Sequence, residues 1–209
     1  MKHLIPFLLL SVFTLTLFAQ EIKLPVPQQK GGMPLMDALS KRESTREFST
    51  KDIDQQTLSN LLWAGWGFNR SGKRTAPSAR NFQEIDIYVV KADGVFLYNA
   101  KSQSLMKLLG EDLRSLTGTQ DFVGKAPLNL VYVADLKKAQ NKDFNQEPVW
   151  SYANAGFIAQ NIYLYCASVN LGCVIRGLIP KDELAQKLNL QPHQKIILAQ
   201  TIGRVKESK

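Results

Sequence analysis

Stretches whose apolar residues recur at helical spacing alternate along the chain with shorter runs that are apolar throughout. Leu58, Leu61, Leu62 and Gly65 share one helical face, and Asp52 or Asp54 supplies the N-terminal cap that such a helix needs. Pro34 suits the first turn of a shorter helix over residues 35–41. The longest helical pattern spans residues 149–169, where Ala153, Ala155, Gly156, Ala159 and Ala167 are set among Phe157, Ile158, Ile162 and Leu164. Apolar residues lie nearly all round it, which predicts a helix buried centrally or shared with a second subunit. Residues 180–188 form the last helical segment.

Residues 85–90 and 95–98 are strand-like runs joined through Ala92-Asp93-Gly94, a β-hairpin signature. Residues 128–133 read as a buried strand, residues 173–175 as a strand after the long helix, and residues 196–199 as a last strand ahead of Gly203. These elements interleave without a strict βαβ rhythm. That predicts an α+β fold, a mixed and mainly antiparallel sheet with helices packed on it, in one domain over residues 33–209. Residues 20–32 hold two prolines and a glycine pair and predict an extended arm; residues 69–77 predict a polar, basic loop.

The 209 residues include 26 Lys+Arg against 18 Asp+Glu, a net charge of +8, so the partner is a nucleic acid, an anionic surface or an anionic cofactor. The chain holds only 2 His and 2 Cys, and His3 lies at its start. That inventory excludes a multi-histidine metal site and a four-cysteine zinc site. A Ser-His-Asp triad would have to use His193, which sits in a polar turn and reads as a solvated side chain.

Met1-Lys2-His3 precedes an uncharged, almost wholly apolar run ending at Ala19, which predicts a secretory signal peptide over residues 1–19. The run is shorter than the roughly 20 residues that span a bilayer, so no stable membrane anchor is expected after cleavage. The expected location is periplasmic or secreted. Export argues against a nucleic-acid partner, as does the lack of aromatic residues within the basic runs 42–46 and 70–80. In an oxidising compartment Cys166 and Cys173 either pair or remain as two buried thiols, and sequence leaves both open.

Three clusters carry chemistry. In Arg42-Glu43-Ser44-Thr45-Arg46, an extended backbone would point Arg42, Ser44 and Arg46 the same way, a receptor for a phosphate and a second polar group. Taken alone, the run also fits a solvated turn. Pro77-Ser78-Ala79-Arg80-Asn81 places small residues and an amide just before a strand, where a heterocycle edge could be read. Residues 171–177 form a glycine-bounded strand end that can offer backbone N–H groups.

Arg42-x-Ser44-x-Arg46 followed by Phe48, Pro77-Ser78-Ala79-x-Asn81, Asn161 on the long helix and the turn into Arg176-Gly177 together resemble the nitroreductase family of FMN-dependent flavoproteins. Within it they resemble the SagB-type branch, named for thiazoline and oxazoline dehydrogenases. The resemblance covers about residues 35–203. It implies a nitroreductase-like fold whose long central helix lies at a homodimer interface, with FMN as cofactor and NAD(P)H as the family's usual donor. It implies that Arg42 meets the phosphate, with Glu43 in the same run, Ser44 the phosphate or ribityl chain, and Arg46 the N1/O2 edge. Pro77, Ser78, Ala79 and Asn81 would border the pyrimidine edge, and the backbone of Arg176 and Gly177 would face N5 and O4. Arg204 or Lys206 would replace the family's terminal basic segment, and Arg80 would cover the flavin or bind an anionic substrate. Arg176 is also counted among the cations around the cofactor. No protein group is implied as catalyst. The implied activity is hydride transfer in alternating half-reactions, from NAD(P)H or an organic donor to a nitro or quinone acceptor, or dehydrogenation of a small substrate. A non-catalytic protein that scavenges FMN is the alternative.

Overall fold

The structure, a computed structural model, describes residues 21–139 and 148–206; the expected signal peptide lies outside the described residues. Along the chain run β1 (Glu21–Lys23), α1 (Leu35–Lys41), α2 (Gln55–Trp66), β2 (Phe68–Arg70), β3 (Lys73–Arg74), β4 (Ile85–Lys91), β5 (Gly94–Asn99), β6 (Ser104–Leu109), β7 (Leu128–Asp135), α3 (Val149–Ser168), β8 (Leu171–Arg176), α4 (Lys181–Lys187) and β9 (Gln194–Arg204). Seven strands form one sheet in the order β1-β6-β5-β4-β7-β9-β8, and every pairing in it is antiparallel.

The sheet is buried on both faces at its centre, which is why β4 and β7 read as continuous apolar runs. Ile85, Ile87 and Val89 of β4 join Leu128, Leu130 and Tyr132 of β7 in a core shared with Leu61 and Leu62 of α2 and Ile158 and Ile162 of α3. On the opposite face Tyr88, Val90, Val131 and Val133 pack with Leu184 of α4. Trp66 donates its indole N–H to the Ile85 carbonyl at 2.8 Å, and Asn161 donates to the Ala64 carbonyl at 3.1 Å, which ties α2 to the sheet and to α3.

Departures from the sequence reading have specific causes. β9 runs through Gln200 and Thr201, which break the apolar pattern yet are fully buried. Tyr132 donates its hydroxyl to Gln200 Oε1 at 2.5 Å, Gln200 donates to the Ala159 carbonyl at 3.2 Å, and Thr201 donates to Asn129 Oδ1 at 2.6 Å. Partnered in this way, they extend the strand. The arm begins as edge strand β1 against β6, neither of which sequence reading anticipated, and the basic loop folds into the β2–β3 ribbon. His193 is mostly buried, not solvated: its carbonyl accepts the Leu136 N–H at 2.9 Å beside the end of β7, and its Nε2 lies 3.8 Å from the Asp135 carboxylate. Cys166 and Cys173 are free buried thiols, and burial raises the Cys166 pKa. Among the described residues no helix is long and apolar enough to cross a membrane.

Asp54 is the cap of α2: its carboxylate accepts the Thr57 N–H and hydroxyl, both at 2.8 Å. The Thr57 amide first, then its hydroxyl, holds the Asp54 pKa below the ordinary carboxylate value. The lowered pKa means that the cap stabilises above the ordinary value and that its contribution fades as pH falls through the lowered one. Asp54→Ala should cost about 1 kcal/mol in urea denaturation at pH 7 and much less near pH 3, whereas Asp54→Asn, which still caps, should stay within about 0.5 kcal/mol.

Candidate functional site

β8 is an edge strand, and the chain that follows α1 runs along its free side. Thr45 donates its N–H to the Cys173 carbonyl at 3.0 Å, Ser49 donates to the Arg204 carbonyl at 2.9 Å, and Lys206 donates back to the Glu47 carbonyl at 3.2 Å. An isolated bridge pairs Phe48 with Val205. Gly172 permits this approach, since a Cβ there would sit 2.9 Å from the Thr45 side chain. The crossing brings the run after α1, the loop at Lys125 and the chain after β9 to one cleft of about 1370 Å³.

Lys41, Arg42, Lys51, Lys125, Arg204 and Lys206 line that cleft, and Glu43 is the one acid beside them. Among the described residues none of these six cations takes part in an ion pair. Their fields therefore add in the cleft, and the chemistry of the donor set suits a phosphate-bearing anion.

Tyr163 is the residue that sequence reading missed. Its hydroxyl shares a 2.9 Å hydrogen bond with Ser44 Oγ and accepts the Ile175 N–H at 3.0 Å. Its ring lies in the cleft wall with the Arg42 guanidinium 5.4 Å from the ring centroid. One side chain thus fixes Arg42, Ser44 and the end of β8. On an apolar-looking helix nothing in the sequence marks it, because its significance is the hydroxyl that a buried side chain aims at a strand edge.

The expectation that Arg42, Ser44 and Arg46 share one face needs correction. Arg42, Glu43 and Thr45 line the cleft, whereas Ser44 and Arg46 do not. The run pairs with β8 at Thr45 and with the chain after β9 at Phe48, without a continuous ladder, so strict alternation of side chains is not maintained. Arg176 also departs from a place among the cofactor-facing cations: its side chain is buried beneath the sheet against Thr117, Asn129 and Thr201. Gly177 beside it keeps an open face, with Leu198 Cδ2 3.7 Å from where a Cβ would lie.

Pro77, Ser78, Ala79 and Asn81 lie elsewhere. Arg80, Asn81 and Gln83 all have positive φ, at 50°, 58° and 52°, a concentration of strained non-glycine backbone. Ala79 donates its N–H to Asn154 Oδ1 at 3.1 Å, and Asn154 donates to buried Glu84 Oε1 at 2.7 Å. Gln83 donates its N–H to Ser78 Oγ at 3.1 Å and its side-chain amide to Asn81 Oδ1 at 3.1 Å. These bonds hold the turn in shape and present Arg80 and Asn81 at an exposed tip.

Asn154 and Tyr163, the α3 anchors of the two clusters, are nine residues apart. That is two and a half turns, about 13 Å of rise, so they project from opposite faces of the helix. The two clusters therefore leave α3 on different sides. α1 and α3 meanwhile expose apolar side chains that a second copy could cover, among them Met36 at 74%, Trp150 at 71% and Phe157 at 47%.

The sequence model of the nitroreductase family matches residues 39–204. A protein of Methanocaldococcus jannaschii named as a nitroreductase is 28% identical over 195 residues, covering 88% of this chain and 96% of its own. Among solved structures, one named as a nitroreductase from Ralstonia eutropha JMP134 is 45% identical with a TM-score of 0.84, covering 90% of each chain. A Desulfovibrio desulfuricans structure named as a nitroreductase in complex with FMN is 20% identical with a TM-score of 0.61, covering 86% of this chain and 92% of that one.

Replacing Tyr163 separates its two roles. Tyr163→Phe keeps the ring beneath Arg42 but leaves the Ile175 N–H without its acceptor, and should cost about 1–3 kcal/mol in denaturant unfolding. A Phe variant as stable as wild type would show that the hydroxyl is not the joint between Ser44 and β8.

Proposed function

The chain belongs to the nitroreductase family of FMN-dependent oxidoreductases, and from that premise we propose that it binds FMN in the basic cleft and works in alternating half-reactions on small organic substrates. The observation that carries this reading is the cleft with its six cations, none in an ion pair among the described residues, with Arg42 held over Tyr163 at the edge of β8. Arg42, Arg204 and Lys206 would hold the phosphate, with Ser44 beside them. The ring would extend to the open end of β8, where the backbone of Arg176 and Gly177 would meet the N5/O4 side; Arg46, which does not line the cleft, is given no contact. The chemistry FMN supplies when bound is hydride acceptance and release at N5.

The residues of the chain bind, orient and leave room. Tyr163 keeps Arg42 and Ser44 in place, and the 43–48 crossing closes the cleft from the β9 side. Gly177 leaves the strand end open to a substrate, which favours turnover over the alternative of an FMN-scavenging protein. The cluster at Ser78, Ala79 and Asn81 completes the pyrimidine edge only if it comes from a second copy. The opposed faces of Asn154 and Tyr163 and the apolar exposure of α1 and α3 support such a homodimer.

The finer assignment is an exported member of the SagB-type branch. It rests on the expected signal peptide and on the Arg42-x-Ser44-x-Arg46 and Pro77-Ser78-Ala79 runs. NAD(P)H is scarce outside the cytoplasm, so export favours dehydrogenation of a small substrate, or an organic donor, over the family's usual nicotinamide.

Purified protein should be yellow or become so on adding FMN, and should elute as a dimer; a colourless monomer that takes up no FMN overturns the proposal. Arg42→Ala should weaken FMN binding about 10- to 100-fold in a fluorescence titration, the loss expected for charge-assisted bonds to a phosphate. Anaerobic mixing with NADH or NADPH separates the two donor readings: bleaching supports the nicotinamide form, and persistent colour supports an organic donor.

A further inference from the structure

Arg176 is a buried cation whose partners are all neutral. It is 5% exposed. Its Nε donates to Thr201 Oγ1 at 3.0 Å, Nη1 to the Thr117 carbonyl at 2.6 Å, and Nη2 to Thr117 Oγ1 at 3.3 Å and Asn129 Oδ1 at 3.0 Å. No carboxylate among the described residues bonds to it or pairs with it. Burial lowers its pKa to about 10, which leaves it charged at neutral pH. The pocket is fitted to the guanidinium, because a Cβ on Gly118 would lie 1.9 Å from Nη1.

An uncompensated buried charge costs stability, and apolar residues of similar volume commonly fill such a place at lower cost. Placement says what the charge is near. Arg176 is the last residue of β8, one peptide ahead of open-faced Gly177, and its other neighbour Ile175 donates to Tyr163 in the cleft wall. Covalent reach alone keeps the guanidinium within about 10 Å of the Gly177 backbone. Its field therefore acts on whatever lies against the exposed Gly177 backbone at the end of β8, through a sheet interior that screens weakly.

We infer that Arg176 is an electrostatic positioning residue whose buried charge, bonded only to neutral groups, favours negative charge against the exposed Gly177 backbone at the end of β8. The inference rests on the proposal that FMN binds there. A ring that accepts a hydride gains two electrons and one proton, the donor losing the same, and so gains one negative charge. Arg176 then holds the reduced cofactor more tightly than the oxidised one and raises its potential.

The test compares FMN-loaded wild type with Arg176→Gln, Arg176→Lys and Asn129→Asp. The last variant keeps the guanidinium and places a carboxylate at Nη2, so it removes the net charge without removing the side chain. Midpoint potentials are measured by dye equilibration, with thermal unfolding alongside. Arg176→Gln and Asn129→Asp should both lower the potential, equivalent to an about ten-fold fall in the preference for reduced over oxidised FMN. Arg176→Lys should stay near wild type. A purely structural role would leave the potential of Asn129→Asp unmoved, and would make the Lys variant as unstable as the Gln variant. Should Arg176→Gln fail to fold, Asn129→Asp decides alone. FMN-loaded Asn129→Asp at the wild-type potential overturns this inference only, whereas wild type that takes up no FMN overturns the cofactor proposal and this inference with it.

Discussion

The hydrogen bond from the Ile175 N–H to the Tyr163 hydroxyl joins the end of the edge strand to the long helix, and the candidate site is built on that joint. An edge strand leaves every second N–H and C=O without a ladder partner. Here the outer side of β8 is used up by a side chain at Ile175 and by the Thr45 backbone at Cys173. The same contacts that protect the edge therefore set the position of the basic run beside it. Protection of a sheet edge and construction of an anion site are one piece of structure.

The cations of that site gain from having only one acid, Glu43, in the lining and no ion pair to it among the described residues. A salt bridge to a surface carboxylate would add little stability and would cancel the field in the cleft. Elsewhere the fold does pair its charges: Lys138 meets Asp86 at 2.7 Å, Lys187 meets Glu111 at 3.1 Å, and Arg114 meets Asp112 at 2.7 Å. Lys138 and Lys125 therefore differ in kind, one neutralised and one lining the cleft. Net charge alone could not make that distinction.

What the sequence made legible follows from the range of the forces involved. Helices α1, α2, α3 and α4 and the central strands announce themselves by local spacing, since burial on one face or both is written in the order of apolar residues. β9 was underestimated because Gln200 and Thr201 are satisfied by Tyr132, Ala159 and Asn129, partners between 41 and 72 residues away. Arg42, Glu43 and Arg204, distant in sequence, line one cleft, but the strict alternation assumed for Arg42, Ser44 and Arg46 required a ladder that the 42–47 segment does not have. Tyr163 escaped because its function is a long-range hydroxyl contact within a helix that looks apolar all round.

The two faces of α3 explain why a single chain looks both complete and insufficient. Its inner residues Ile158 and Ile162 are fully buried in the core, so the fold does not need a partner to bury them. Its outer residues Trp150 and Phe157 are not covered, and they neighbour the rigid, strained turn that Asn154 and Glu84 hold in shape. Strain of that kind persists only where surrounding bonds over-determine it, and it is rarely kept for its own sake. Under the proposed function, a turn braced in this way, outside the lining of its own chain's basic cleft, would serve the cleft of a second copy. On the proposed reading a second copy would complete the site, since the residues that would read the ring edge and those that would hold the phosphate project from opposite sides of one helix.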